Sequence, residues 1–110
     1  MKSESSTSGL RFVAVWEFQV KLGCEAAFEE MYGPQGDWAR LFAQGEGYLG
    51  TQLQRDVRQA HRYLTFDFWA SQEAYEKFRA THEQGYLQLE PRGEALTERE
   101  RELGWFVAAG

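Results

Sequence analysis

Two strand-like segments with large apolar groups on both faces constrain the fold of this chain most strongly. The segment HRYLTFDFW, residues 61–69, has the period-2 alternation of a β-strand. One face of that strand would carry Tyr63, Thr65, Asp67 and Trp69, and the other Leu64, Phe66 and Phe68. The segment LRFVAVWEFQV, residues 10–20, is likewise apolar on two sides. A domain of 110 residues usually covers only one face of a sheet with its own helices, so the second face needs another cover.

The remaining elements are predicted from turn residues and apolar spacing. Helices are expected at CEAAFEEMY (24–32), after an Asp37 cap, and after a Ser71 cap, and a strand at YLGTQLQRDV (48–57). A short pattern after Gly85 should end at Pro91 and Gly93. ALTERERELG (95–104) has the pattern of a charged surface helix or turn, and GWFVAA that of a last strand.

This order predicts an α+β, ferredoxin-like βαββαβ domain with a four-stranded antiparallel sheet and both helices on one side. The opposite sheet face is then bare. The chain contains eight Phe, five Tyr and four Trp, and each such side chain buries a large area. We therefore expect the surplus aromatic residues on the bare face, at an interface or a ligand cavity.

Length and charge narrow the possible classes of protein. The length suits one domain, which we assign to residues 10–110 after a polar leader at residues 1–9. A net charge of −5 without a basic stripe argues against a nucleic-acid partner. The single cysteine, Cys24, excludes an internal disulfide and suits the cytoplasm. No apolar run has the length of a membrane span, so no membrane partner is expected.

Several stretches of the chain resemble the antibiotic biosynthesis monooxygenase family of dimeric α/β barrels. They are GEGYLGTQLQRD (45–56), RYLTFDFWASQEAYEKF (62–78) and ELGWF (102–106). The resemblance implies a homodimer that packs sheet against sheet around a cavity in each subunit. Members of the family oxidise aromatic polyketides or quinol-like substrates with O2 and without flavin or metal, so no cofactor is expected. Other members degrade haem, and several have no known activity.

The resemblance also supplies candidate catalytic residues. Polyketide-oxidising members use a Trp and a Tyr with the spacing of Trp69 and Tyr75, and an Asn four residues before the Trp. Thr65 stands at that Asn position, and its hydroxyl can donate a hydrogen bond to a carbonyl or enolate oxygen. The alternative interpretation of Trp69 and Tyr75 is that they are core anchors at a strand–helix junction.

Asp67 is the candidate base. Its alternation places it among aromatic side chains, where burial would raise its pKa unless it is paired. Such a carboxylate could take the proton of a phenol or quinol and so make an anion able to react with O2. The alternative is a structural ion pair with Arg55 on the neighbouring strand. Four further residues complete the expected site as substrate-binding groups: Trp16, Tyr63, Phe78 and His82.

The sequence is compatible with three functions. The leading hypothesis is a cytoplasmic, homodimeric, cofactor-independent monooxygenase that oxidises a small phenol-, quinol- or polyketide-like substrate in an aromatic cavity between the bare sheet face and the helices. The alternative is a non-catalytic ligand-binding or stress-related dimer. A haem-binding or haem-degrading protein is a weaker alternative, because the chain has no asparagine and neither His61 nor His82 has a metal-ligand spacing. Both histidines fit surface roles, and no metal site is expected.

Overall fold

The computed structural model describes residues 11–109, so the predicted leader at residues 1–9 lies outside the described part. Four strands and four helices follow one another within these residues. In order they are β1 (Phe12–Val20), α1 (Glu25–Tyr32), α2 (Asp37–Phe42), β2 (Tyr48–Arg55), β3 (Arg62–Trp69), α3 (Gln72–Thr81), α4 (Glu83–Glu94) and β4 (Thr97–Val107).

The strands form one antiparallel sheet with the order β2-β3-β1-β4. This is the ferredoxin-like arrangement, and the predicted fold class is confirmed. The two strands that are apolar on both faces, β1 and β3, lie side by side in the centre of the sheet. In the register, Asp67 on β3 lies opposite Ala14 on β1 and Thr51 on β2.

The helices cover the sheet face that carries Asp67. Along β3 every second residue is buried, namely Tyr63, Thr65, Asp67 and Trp69, whereas Leu64, Phe66 and Phe68 stay partly exposed. The face left without helices is therefore the one with Phe66 and Phe68. It continues onto β1 with Val13 and Val15 and onto β4 with Phe106.

Most of the aromatic side chains lie under the helices. The prediction that the surplus aromatic residues occupy the bare face is therefore wrong for most of them. One cluster surrounds Trp69, which has no exposed surface. A second cluster surrounds Phe28, whose ring stacks on Tyr32 with 4.2 Å between centroids. The helices α1 to α3 turn aromatic residues inward, and these meet the Tyr and Trp residues of the covered sheet face.

The helix starts follow local capping chemistry. The Ser71 side chain accepts a hydrogen bond from the Ala74 amide at 3.0 Å, which confirms the predicted cap of α3. Asp37 is the first residue of α2 rather than its cap, because Gly36 occupies the flanking position without any side-chain bond. None of the helices within residues 11–109 has both the length and the apolar character required to cross a membrane.

The helix α4 passes through Pro91, where the sequence predicts an end. Proline lacks the amide hydrogen that would bond to the carbonyl of Leu87. Leu87 is 54% exposed, so water can reach this side of the helix. The Ala95 amide still donates to the Pro91 carbonyl at 3.1 Å, and the helical turn therefore closes beyond the proline.

The charged segment predicted as a helix or turn is instead the first half of β4. Its Glu and Arg residues alternate across the two faces of the strand, so no apolar periodicity marks it. Glu100 lies opposite Phe18 on the helix-covered face, and Arg101 reaches Glu17 at 2.8 Å on the other face. Because β4 is an edge strand, its charged side chains also discourage pairing with a foreign strand.

A bulge interrupts β2 near its start. Tyr48 lies opposite Trp69, but Gly50, not Leu49, lies opposite Phe68. Gly50 has φ +135°, a conformation that favours glycine. The extra residue turns Tyr48 and Thr51 to the same sheet face, while Leu49 is 51% exposed instead of sharing the Thr51 face as its alternation predicts.

We expect Ser71→Ala to lower the free energy of unfolding by about 1 kcal/mol, since the α3 cap is lost. Ser71→Asp is the matched control, because its carboxylate can accept the same amide bond and should retain stability. Urea unfolding monitored by circular dichroism measures both. Equal losses in the two variants would show that the hydroxyl does not act as a cap.

Candidate functional site

A cavity of about 100 Å³ lies between the helix-covered sheet face and the helices. It is lined by Trp16, Phe18, Tyr32, Trp38, Phe42, Thr65, Asp67, Tyr75, Arg79, Tyr86, Glu90 and Glu100. The expected aromatic cavity therefore exists, but it lies on the helix-covered face instead of the bare face. Its volume approaches that of a cavity of roughly 150 Å³, which holds one benzene ring.

Asp67 is a buried carboxylate that forms no salt bridge in the described part of the chain. Its side chain accepts a hydrogen bond from the Thr51 hydroxyl at 2.7 Å. Burial raises the pKa of Asp67 to about 6, although the bond from Thr51 opposes the rise. The alternative ion pair with Arg55 is wrong, because Arg55 lies opposite Tyr63 in the register and contacts Glu29 at 3.9 Å.

A second hydroxyl stands behind Thr51. The hydroxyl oxygens of Tyr48 and Thr51 are 2.6 Å apart. Since Thr51 gives its proton to Asp67, Tyr48 is the donor in this pair. Burial raises the pKa of Tyr48, so its phenol keeps the proton that it donates.

Two further tyrosines and an arginine line the cavity from α3 and α4. The Arg79 guanidinium carbon lies 5.7 Å from the ring centre of Tyr75 and 5.4 Å from that of Tyr86. Burial raises the pKa of both phenols, which therefore remain neutral hydrogen-bond donors. The Tyr86 hydroxyl is buried and has no hydrogen-bond partner among residues 11–109. A bound oxygen atom could accept this unused proton.

Acidic groups mark another part of the wall. Burial raises the pKa of Glu100, and the neighbouring carboxylates of Glu94 and Glu90 add to the rise. Burial likewise raises the pKa of Tyr32, and the three carboxylates contribute in the same direction. The cavity thus combines carboxylates and one guanidinium on a wall that is mainly aromatic.

Half of the predicted site residues line this cavity, namely Trp16, Thr65, Asp67 and Tyr75. Trp69 shares their sheet face but lies beneath the wall, with its ring centre 5.6 Å from that of Tyr75 and 5.8 Å from that of Phe42. Its buried indole N–H has no acceptor within the described residues. Trp69 therefore supports two cavity residues by packing.

The other three predicted binding residues lie elsewhere. The Tyr63 hydroxyl donates to Glu29 at 2.6 Å, at the far side of the second aromatic cluster. Phe78 is buried beside Trp69, and its outer side stacks on the His82 ring with 4.2 Å between centroids. His82 also contacts the Thr81 hydroxyl at 2.9 Å. None of the three belongs to the cavity wall.

The sequence does not predict several residues of the cavity wall. Tyr86 and Glu90 share one face of α4, but Pro91 made the sequence predict only a short segment there. Glu100 lies on the part of β4 for which the sequence predicts a helix or turn.

Thr51 does not line the cavity, but its contact with Asp67 could have been predicted from the sequence. A residue on a paired strand faces a partner across the ladder, and Asp67 is that partner.

Metal-ligating side chains are dispersed in the described part of the chain. Residues 11–109 contain no group of three or more His, Cys, Asp or Glu that could hold a metal ion. His61 contacts the Glu25 carboxylate at 2.6 Å, beside the hairpin loop. Neither His61 nor Glu25 lines the cavity.

Together these features define a ferredoxin-like α+β protein with a carboxylate-bearing aromatic cavity under its helices. The sequence profile described as antibiotic biosynthesis monooxygenase matches residues 11–88, which is most of the chain. The chain belongs to this family, as its sequence motifs predict. No sequence among curated proteins matches the chain.

Solved structures reproduce the fold over nearly the whole chain. SnoaB, a cofactor-independent oxygenase from Streptomyces nogalater, is 24% identical with a TM-score of 0.71, covering 92% of this chain and 95% of its own. A dimeric ferredoxin-like protein from an uncultured marine organism is 13% identical with a TM-score of 0.67, covering 98% and 96%. PA3566 from Pseudomonas aeruginosa is 18% identical with a TM-score of 0.63, covering 92% and 96%. At these identities the likeness establishes the fold.

We expect Asp67→Asn to stabilise the protein in a pH-dependent way. The pKa of Asp67 is about 6 in the folded protein and roughly 3.9 when unfolded. Both states of the wild type are therefore protonated below pH 4, and stability is lost as the pH rises through 6. The gain from the substitution should be near zero at pH 4 and reach about 3 kcal/mol at pH 8.

Chemical denaturation of both proteins between pH 4 and pH 8 measures this difference. Asp56→Asn is the control with the opposite sign, because hydrogen bonds from the Arg58 amide and the Arg62 side chain lower the pKa of Asp56. That variant should be destabilised at neutral pH. A pH-independent effect of Asp67→Asn would contradict the raised pKa.

Proposed function

We propose that this protein is a cofactor-independent oxygenase that oxidises a small phenol or quinol with O2. The observation that carries the proposal is the buried carboxylate of Asp67, which forms no salt bridge with the described residues and lines an aromatic cavity. Membership of the monooxygenase family supports the reaction class. The likeness to SnoaB, itself a cofactor-independent oxygenase, is consistent with it.

In the proposed reaction the cavity first orients a planar ring. The side chains of Trp16, Trp38 and Tyr86 offer edges and faces for aromatic packing. Asp67 then takes the proton of the substrate hydroxyl, so that the substrate O–H bond breaks and a carboxyl O–H bond forms. The hydroxyls of Tyr75 and Thr65 stabilise the anion, and Trp69 holds the Tyr75 ring from below.

The anion is the reductant and O2 the oxidant. Electrons pass from the ring to O2, and one oxygen atom bonds to a ring carbon. That carbon becomes a second carbonyl, and the other oxygen atom leaves as water with the hydrogen of that ring carbon and the proton that Asp67 returns. A phenol and O2 thus give a quinone and water. The cavity volume of about 100 Å³ favours a substrate with one ring.

We expect O2 uptake with single-ring phenols or quinols, and a fall of 100-fold or more in kcat/KM for Asp67→Asn, as for the loss of a general base. Because the ionised form of Asp67 is the base, kcat/KM should rise with pH through about 6 and then level off. An oxygen electrode measures both, with Asp56→Asn as the surface-carboxylate control.

The test has two informative failures. Substrates that turn over equally well with Asp67→Asn would remove Asp67 from the mechanism. Phenols that quench tryptophan fluorescence saturably, without O2 uptake by the intact protein, would establish the alternative of a ligand-binding protein. That alternative draws support from Trp69, which is completely buried as a packing residue. A haem far exceeds the cavity of about 100 Å³, so the structure does not favour the haem alternative.

We also propose that two copies of the chain pack sheet against sheet. The helix-free face carries a group of apolar side chains, namely Val13, Val15, Leu64, Phe66, Phe68 and Phe106. A two-fold axis would let the same surface bury itself on both chains. The structural likeness to a dimeric ferredoxin-like protein is consistent with this assembly.

Phe66→Glu should therefore give a monomer, because dimerisation would bury an unpaired carboxylate at the centre of this surface. Val57→Glu is the matched control, since Val57 is 98% exposed in the hairpin loop away from the sheet face. Sedimentation equilibrium at micromolar protein measures the assembly. A dimer in the Phe66→Glu variant, or a monomeric wild type, would contradict sheet-to-sheet packing.

A further inference from the structure

The carboxylate of Asp67 is held from behind by two hydroxyl groups that do not line the cavity. Thr51 donates to Asp67 Oδ1 at 2.7 Å, and the hydroxyls of Tyr48 and Thr51 are 2.6 Å apart. Thr51 is the cross-strand neighbour of Asp67, and the neighbour on the other side is Ala14, which has no polar side-chain atom. Thr51 is thus the polar side chain that meets Asp67 across the sheet.

The bulge in β2 makes this arrangement possible. In a regular strand, residues 48 and 51 point to opposite faces. The extra residue, with Gly50 at φ +135°, turns Tyr48 and Thr51 to the same face. The Tyr48 ring is fixed in turn by packing against Trp69 and Phe42, with centroid distances of 5.2 and 5.7 Å.

Titratable or charged groups line the cavity from α1, α3, α4 and β4, and one on β2 stands behind Thr51. They are Tyr32 on α1, Tyr48 on β2, Tyr75 and Arg79 on α3, Tyr86 and Glu90 on α4, and Glu100 on β4. Of the hydrogen bonds among the described side chains, the one that reaches the Asp67 carboxylate comes from Thr51. The orientation of this carboxylate therefore depends on Thr51.

We propose that Thr51, itself held by Tyr48, is a positioning residue that anchors Oδ1 of Asp67 and leaves Oδ2 directed at the cavity to accept the substrate proton. This rests on the proposed function for the reaction, but the anchoring can be measured without turnover. A neutral hydroxyl favours the ionised carboxylate through its hydrogen bond, while adding no charge that would attract the carboxylate away from a substrate.

Thr51→Val removes the donor and keeps the shape of the side chain. A hydrogen bond to a charged group favours ionisation by about 10-fold or more, so the titration of Asp67 should move upward by at least ~1 pH unit. Carbon-detected NMR of the carboxyl group measures this directly. Thr51→Ser should titrate like the wild type, and Thr81→Val, on the exposed end of α3, is the control.

The kinetic arm measures kcat/KM against pH. The acid limb of Thr51→Val should move upward with the NMR titration, so that activity at pH 6 falls at least ~5-fold while Thr51→Ser retains it. Tyr48→Phe keeps the ring packing and removes only the donor to Thr51. It should shift both measurements in the same direction by a smaller amount. It also tests the hydrogen-bond chain from Tyr48 through Thr51 to Asp67 where Thr51→Val does not fold.

The outcomes separate this proposal from the function on which it rests. A wild type without O2 uptake, together with the expected NMR shifts, would overturn the oxygenase function and retain Thr51 as the anchor of Asp67. Unchanged Asp67 titration in both Thr51→Val and Tyr48→Phe would overturn the anchoring, whatever the activity. Loss of activity in Thr51→Ser equal to that in Thr51→Val would also overturn it, because Ser supplies the same hydroxyl.

Discussion

The alternation of the central strand β3 is the constraint on which the rest of the structure depends. Successive side chains of a strand point to opposite faces, so this one segment furnishes Asp67 and Thr65 to the cavity and Phe66 and Phe68 to the helix-free face. A slip of one residue in its register would exchange the two sets. The long antiparallel ladders with β1 and β2 therefore fix the core, the candidate site and the apolar outer surface at once.

Such a site is unfavourable for stability, and the surrounding packing must offset it. An ionised Asp67 with one neutral donor is costly to bury. The aromatic clusters provide the compensation, since each large ring removes much apolar area from water. Trp69 contacts Phe42, Tyr75 and Phe78 within 6 Å between ring centres, so a packed aromatic cluster lies beside the carboxylate. A local cost at a functional group is tolerated where neighbouring packing is strong.

The sequence predicts the fold more completely than the site. Alternation and capping identified β1, β2, β3 and α3, since these signals depend on residues close together in the chain. The first half of β4 was missed because its alternating Glu and Arg residues mimic a solvated helix, and only the neighbouring β1 reveals the pairing; the second half was predicted at GWFVAA. For the site, periodicity found Asp67 and the family resemblance supplied Thr65 and Tyr75, but periodicity did not show which face the helices cover. The covered face is determined by how the helices pack on the sheet. A strand that is apolar on both faces carries no local signal that shows which face this is.

The identity of the group that meets Asp67 decides what chemistry the carboxylate can perform. An arginine partner, as in the expected pair with Arg55, would hold the pKa of the carboxyl low and make it a weak base. Thr51 instead supplies one neutral bond, and burial keeps the pKa of Asp67 near 6. A base of this strength is ionised at neutral pH and still binds a proton far more readily than an exposed aspartate. The glycine at position 50 and the bulge that it permits therefore matter for reactivity as well as for shape, because they bring Tyr48 onto the face where Thr51 needs a donor.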